Sequence, residues 1–443
     1  MYPNQYQMNY RANQSHDNSV YSLMRWGEIA KLKKNQAFQN MIMSSCLSGD
    51  LSVMKDVEPF VKLKAIEEIF REFPFQQPSE EVSKHDVFNE RAIIIGKVKD
   101  EKRFFTYPID WLNQHSVITG GSGTGKTNLL YGIILQCMNK GIPVIIFDKD
   151  KTDYRHLRRL NEDLMIFNAN EVPLINPLAP PSGVNPKHWL SIFIQVFAKT
   201  HDLLGASEAF LIEAVSKLYE EFGVFSGNDT CPTMIDLYEK IKSYSFRGNS
   251  RKSGYQDSIM NRLEAYVSLN PELFEYSKCV PIEWLLRHSF VYEVKGLVDR
   301  MARFMMTILL YSIFIYRIAN GQRGNVLKSL VVIDECKWLA PYGFNENIGH
   351  SALSSILSMG REVGLGLILA DQTAKLEDSV YVNSMLRICM RLQNGEDIMK
   401  TARTMSLSKE QADYIARLDR GECIIRIPKE DPFVIETLKV NLG

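Results

Sequence analysis

The stretch that most restricts how this chain can fold is His115-Ser-Val-Ile-Thr-Gly-Gly-Ser-Gly-Thr-Gly-Lys-Thr127. It reads as a buried strand, then a glycine loop, then a helix opening at Lys126. Gly120 to Thr127 satisfies G-x-x-x-x-G-K-[ST], the pattern of a phosphate-binding loop. A polyphosphate needs several amide N–H donors converging on its oxygens, so the backbone must turn sharply and come close. Gly120, Gly121, Gly123 and Gly125 permit this because they lack the Cβ that forbids positive φ. The helix adds the positive end of its dipole. In such a loop the segment Gly121-Ser122-Gly123-Thr124-Gly125 cradles the phosphates, Lys126 reaches the β- and γ-phosphates, and the Thr127 hydroxyl ligates Mg2+. The pattern alone arises by chance in roughly one or two of every hundred chains this long, so its context decides. Here β-branched residues precede it, and Asn128-Leu-Leu-Tyr-Gly-Ile-Ile-Leu-Gln136 follows in helical pattern. A bound nucleotide is therefore expected.

With 443 residues the chain can bury a large core and form two or three domains. Lys+Arg and Asp+Glu are equal at 52 each, which excludes a global basic field. Any nucleic-acid contact must come from a local patch or from assembly. Seven scattered cysteines without a C-x-x-C pair suit a reducing compartment rather than a zinc site or a disulfide framework. The N-terminus lacks the basic and apolar regions of a signal peptide. The apolar run around Phe304–Tyr316, about a dozen residues between Arg303 and Arg317, is too short for a bilayer and reads as a core helix. A soluble cytoplasmic protein with no integral membrane association is the expectation.

Along the chain, residues 1–19 read as a disordered tail, 20–75 as a helical region and 76–90 as a linker. The helical region suits either a cap on the main domain or a docking surface for another protein. Residues 91–110 read as a β-hairpin, Ala92–Val98 and Arg103–Tyr107, a reduced barrel-like element. From 111 to 443, strands alternate with helices, which implies an α/β fold with a parallel sheet. A helical insertion at about 185–285 separates the early strands from the later ones. Within it, Ser245–Tyr255 reads as a basic loop with interleaved aromatics, a solvated surface or a DNA contact.

Ligands in open α/β sheets bind at the carboxyl ends of strands. There Gly141–Asp148 ends in an acid, with Asp150 and Asp153 close behind. Ser329-Leu-Val-Val-Ile-Asp334 ends in Asp334-Glu335. Phosphoryl transfer needs a strand-tip carboxylate for Mg2+, which Asp334 supplies. Glu335 is placed to orient and deprotonate an attacking water. Gln372, after the strand Leu365–Ala370, either senses the γ-phosphate or is an ordinary turn residue.

Taken together, Thr119–Thr127, Phe147-Asp-Lys-Asp-Lys-Thr-Asp-Tyr154, Val332–Glu335, Gly360-Arg-Glu-Val-Gly-Leu-Gly-Leu367 and Asp371-Gln-Thr373 resemble the HerA/FtsK superfamily of P-loop motors. The likeness runs from about residue 91 onward. It implies a RecA-like core binding ATP and Mg2+, a hexameric ring with sites between subunits, and DNA or protein in the pore. It also implies that Gln372 is the strand-tip glutamine and that Arg361 serves the neighbouring subunit's ATP in trans. HerA proteins carry a complete N-terminal β-barrel, where this chain has one hairpin preceded by helices. The implied function is an ATP-hydrolysing motor that translocates DNA with a partner nuclease or effector, engaged through the N-terminal region. The alternatives are a conjugation or type IV secretion ATPase, and an ATP-regulated scaffold that activates an effector.

Overall fold

The computed structural model describes residues 20–442 apart from 33–34, 49, 51, 89, 150, 173, 247–249, 279 and 340–351. The expected disordered tail, 1–19, therefore lies outside the described residues. Eleven strands form one sheet. They are β1 (Ala92–Val98), β2 (Phe104–Pro108), β3 (Ser116–Thr119), β4 (Val144–Asp148), β5 (Met165–Asn168) and β6 (Phe290–Glu293). The remainder are β7 (Ser329–Asp334), β8 (Leu365–Asp371), β9 (Leu386–Cys389), β10 (Glu422–Arg426) and β11 (Phe433–Thr437). Their order is β2-β1-β11-β10-β9-β3-β8-β7-β4-β6-β5.

From β9 to β5 every pairing is parallel. These strands read as continuous apolar runs because helices cover both faces. Successive side chains point to opposite faces. Ile145 and Phe147 of β4 thus join one buried cluster, which includes the helices of the 185–285 insertion. Val144 and Ile146 join another, built on the P-loop helix Lys126–Asn139.

The 91–110 hairpin is not a separate barrel-like element. β1 pairs antiparallel with β11, so the hairpin extends the main sheet at its antiparallel edge. Strand β5 is absent from the sequence reading; its half-buried residues carry no clear alternation. The second half of the expected loop Ser245–Tyr255 is also different. Ser250–Leu269 is a helix, and Ile259, Leu263 and Tyr266, at i, i+4 and i+7, are fully buried. Packing of that stripe outweighs the helix penalty of Gly254, about 1 kcal/mol.

The apolar run at 304–316 belongs to a helix, Asp299–Ala319, of 21 residues. It is long and apolar enough to cross a membrane by length and composition, but 89% of its apolar window is buried inside the protein. The N-terminal region holds helices at 20–29, Gln36–Ser48 and Ser52–Glu72. They share a small core of Leu23, Ala30, Met54, Val61 and Ala65. This unit meets the main body where Phe73 and Phe75 pack edge-on against Tyr414, at 5.7 and 5.6 Å.

Candidate nucleotide-hydrolysis site

The glycine loop leaves β3 at the centre of the sheet and is held by elements from the far end of the chain. Gly120 N–H donates to Asp371 O (3.2 Å), and Gly121 N–H to Arg391 O (2.8 Å). Gly421 N–H donates to Thr124 O (2.9 Å). The loop is close-packed: a Cβ on Gly120 would stand 2.6 Å from Met390 Cβ. Gly125, at φ 112, occupies a conformation that side chains avoid and launches the helix. Thr124 Oγ1 ties the turn to Gly121 O (2.8 Å). Among the described residues, the N–H groups of Ser122, Gly123, Thr124 and Gly125 donate to no other group. They remain available to an anion.

Lys126 is buried, and its ammonium donates to Gly120 O and to Gly121 O (3.1 Å). Burial holds its pKa below the usual lysine value, opposed by Asp334 and other nearby carboxylates. Thr127 follows it in the first helical turn, half-buried.

Two strands away from β3, β7 ends at Asp334, with β8 between them. At about 4.8 Å per strand the two tips are about 10 Å apart, a span suited to a triphosphate and a hydrated cation. Asp334 is buried; its Oδ1 accepts from Glu335 N (3.0 Å) and its Oδ2 from the Tyr154 hydroxyl (3.2 Å). Glu335 sits at φ 58. For a residue other than glycine this left-handed backbone costs about 1–3 kcal/mol, a strain characteristic of functional sites. The turn carries its carboxylate to Gln372 at the tip of β8, whose Nε2 donates to Glu335 Oε1 (3.0 Å). Lys151 Nζ approaches the same oxygen at 2.9 Å and Asp334 Oδ2 at 3.6 Å. Burial pushes the Glu335 carboxyl up, but Lys151 and Gln372 outweigh it and leave its pKa below the ordinary value.

Three more acids end neighbouring strands. Asp148 is buried with Oδ2 lacking a hydrogen-bond partner, and burial pushes its pKa up to about 6. Glu293, at the tip of β6, is held by Arg155. Asp371 accepts from Lys337 N (2.7 Å) and Thr373 N (3.1 Å), so it braces the turns beside Glu335 and Gln372.

The structure thus brings Lys126, Thr127, Asp334, Glu335 and Gln372 to one edge of the sheet. Asp150 lies outside the described residues. Asp153 enters through its backbone oxygen, which accepts from Tyr131 (2.7 Å). Lys151, Tyr154 and Asp371 were missed as site residues, although Lys151 and Tyr154 stand inside the 147–154 motif and Asp371 inside the 371–373 motif.

Arg361 is elsewhere. It is exposed in a short turn, Gly360–Val363, just before β8, and its carbonyl accepts from Asn113 Nδ2 (2.9 Å). The six residue steps of β8 separate it from the P-loop edge by about 20 Å. It borders a cleft of ≈ 500 Å³ that Arg387 and Arg426 also line.

Mg2+ and a nucleotide fit this donor set. Thr127 and Asp334 offer hard oxygens, and Asp148 keeps an unsatisfied one nearby. No group of three or more His, Cys, Asp or Glu that could hold a metal ion is found among the described residues.

Residues 93–289 match the family model for the central domain of helicase HerA. The DNA double-strand break repair helicase HerA of Sulfurisphaera tokodaii is 23% identical over 349 residues, covering 76% of this chain and 67% of the relative. The DNA import protein CedB of Sulfolobus acidocaldarius is 23% identical over 366 residues, covering 80% and 57%. Among solved structures, VirB4 of Thermoanaerobacter pseudethanolicus superposes with a TM-score of 0.63 at 19% identity, covering 79% of this chain and 96% of that one. The plasmid coupling protein TrwB in complex with ADP and Mg2+ superposes with a TM-score of 0.57 at 12% identity, covering 76% and 89%. These structural likenesses establish the fold, a RecA-like P-loop core.

Proposed function

We propose that this chain is a HerA-like P-loop ATPase, similar to the HerA helicases, that hydrolyses ATP and couples the cycle to moving DNA through a ring of its own copies. The observation that carries the reading is the meeting of three strand tips. Lys126 follows β3, Gln372 follows β8, and Asp334-Glu335 ends β7, with the glutamine bonded to the glutamate. Lys126 and the free loop amides neutralise the phosphates; Thr127 and Asp334 would hold Mg2+, which would supply further charge withdrawal from the phosphates. Glu335 orients the attacking water and takes its proton, while Gln372 fixes the carboxylate.

Arg361 supports the ring. It stands about 20 Å from its own P-loop, so within one subunit it has no access to the transferring phosphate. On a neighbouring copy it completes the site, where a guanidinium fork stabilises charge spread over the phosphoryl oxygens. DNA as substrate is supported by the names of the relatives, a DNA repair helicase and a DNA import protein. A partner nuclease or effector engages the helical region 20–75, where Leu47, Phe60 and Leu63 are exposed.

The test is ATP turnover by the assembled protein with and without DNA. DNA should stimulate the wild type, and both Lys126→Ala and Glu335→Gln should abolish turnover. An assembled wild type that hydrolyses no ATP under either condition would end this reading.

A further inference from the structure

Lys151 reaches the acidic pair from the side opposite to Gln372. In the sheet, β7 lies between β8 and β4. Gln372 extends from β8, the neighbour of the P-loop strand; Lys151 follows β4, on the far side. Both address one atom, Glu335 Oε1, at 3.0 and 2.9 Å. The two donors thus come to that oxygen from strands on opposite sides of β7.

A general base must present a free lone pair to its water. An ion-paired carboxylate is turned toward its partner. We propose that Lys151 is a positioning residue that restrains Glu335 on the side of the site away from the P-loop, and that release of this ion pair brings the site to hydrolysis. This rests on the reading of Glu335 as the water-orienting carboxylate.

The surrounding geometry is that of a held element. Thr152, next to Lys151, has φ 56, and Glu335 has φ 58, so the backbone is left-handed on both sides of the pair. Tyr154, three residues after Lys151, is fully buried and donates to Asp334 Oδ2 (3.2 Å). Tyr131 of the P-loop helix donates to Asp153 O (2.7 Å). The segment carrying Lys151 is thus fastened to the acid expected to hold Mg2+ and to the helix that follows the glycine loop. Lys151 also stands 3.6 Å from that acid. A divalent cation at Asp334 and the Lys151 ammonium compete for the same negative charge.

Lys151→Met keeps the length of the side chain and removes the charge. Two readouts are needed: Mn2+ binding without nucleotide, followed by electron paramagnetic resonance, and ATP turnover without DNA. Mn2+ should bind roughly fivefold more tightly to the variant, and its DNA-independent turnover should rise by a similar factor. Lys151→Arg should return both toward wild type. An unchanged Mn2+ affinity overturns the proposal whatever the turnover. Tighter Mn2+ binding with lowered or unchanged turnover also overturns it, because Lys151 would then not restrain the base. If wild type and variant both fail to hydrolyse ATP, the ATPase reading fails, and tighter Mn2+ binding would still establish the hold of Lys151 on the carboxylates. A thermal melt checks folding, and Lys151→Gln carries the same measurements if the methionine variant is unfolded.

Discussion

Gln372 donates to Glu335 across two adjacent parallel strands, at 3.0 Å and 37 residues apart in sequence. The register of β7 and β8 produces this meeting. Asp334 lies level with Ala370, so Glu335 and Gln372 leave the sheet side by side. The contact ties the tips of β7 and β8 together.

Gln372→Ala should lower ATP turnover by roughly tenfold while leaving nucleotide affinity nearly unchanged. The glutamine touches the base and lies one strand from the loop that binds phosphate. Equilibrium binding of a fluorescent ATP analogue, measured beside steady-state turnover, separates the two effects. A matching loss in both would mean that Gln372 acts on binding.

Arg361→Ala should abolish hydrolysis without weakening nucleotide binding to the isolated subunit. Mixing it with Lys126→Ala, itself inactive, should recover part of the activity. In mixed rings some interfaces pair an intact loop with an intact arginine. Recovery after mixing and reassembly is the measurement. Its absence would place Arg361 outside the neighbour's site.

Gly120→Ala should cost about 1–3 kcal/mol in stability and weaken nucleotide binding. The added methyl would stand 2.6 Å from Met390 Cβ and 3.1 Å from Thr124 Oγ1. Met390→Ala in the same chain should not relieve this fully, since the conflict involves Cβ itself. Chemical denaturation of the single and double variants tests it.

Stability should fall as the solution is acidified from about pH 6.5 toward pH 4. His115 is buried and bridges two elements: its Nδ1 accepts from Leu367 N (3.1 Å), and its Nε2 faces Leu357 O (2.8 Å). Both nitrogens are used in the neutral ring, and a second proton would oppose the Leu367 N–H. Burial, partly offset by the Leu357 carbonyl, holds its pKa down at about 4. The unfolded chain therefore takes up a proton before the folded one, so the stabilisation present above about pH 6.5 is lost as pH falls. The limit is roughly 3 kcal/mol from this residue. His115→Gln should give a shallower dependence of unfolding free energy on pH across that window. An unchanged slope would remove His115 as the cause.

Much of the fold was legible because it is written in local pattern. The runs 144–147, 330–333 and 365–370 are continuous and apolar ahead of their terminal aspartates, as strands buried on both faces must be. The helices of the insertion show the 3.6-residue stripe. Reading failed where local pattern and packing disagree. Residues 250–255 hold a glycine, two serines and two basic residues, yet they form the first turns of a helix secured by Ile259, Leu263 and Tyr266. At β5 the edge position leaves the side chains half-buried, so no alternation marks the strand. The 91–110 hairpin was visible as a hairpin; its partner, β11, lies more than three hundred residues away.

By itself the sequence determined the phosphate loop, because its constraint is local. Glycines, a lysine and a hydroxyl at set spacing, between a β-branched run and a helical pattern, mark the loop within thirteen residues. It also determined that a strand would end in Asp334-Glu335. Strand order and register are long-range pairings, and only the tertiary structure decided them. They set Glu335 beside Gln372, brought Lys151 to the same carboxylate from the opposite side, and left Arg361 at the other end of β8. The glycine loop is recognisable from thirteen residues, whereas the balance of charges around its base depends on four strands lying side by side.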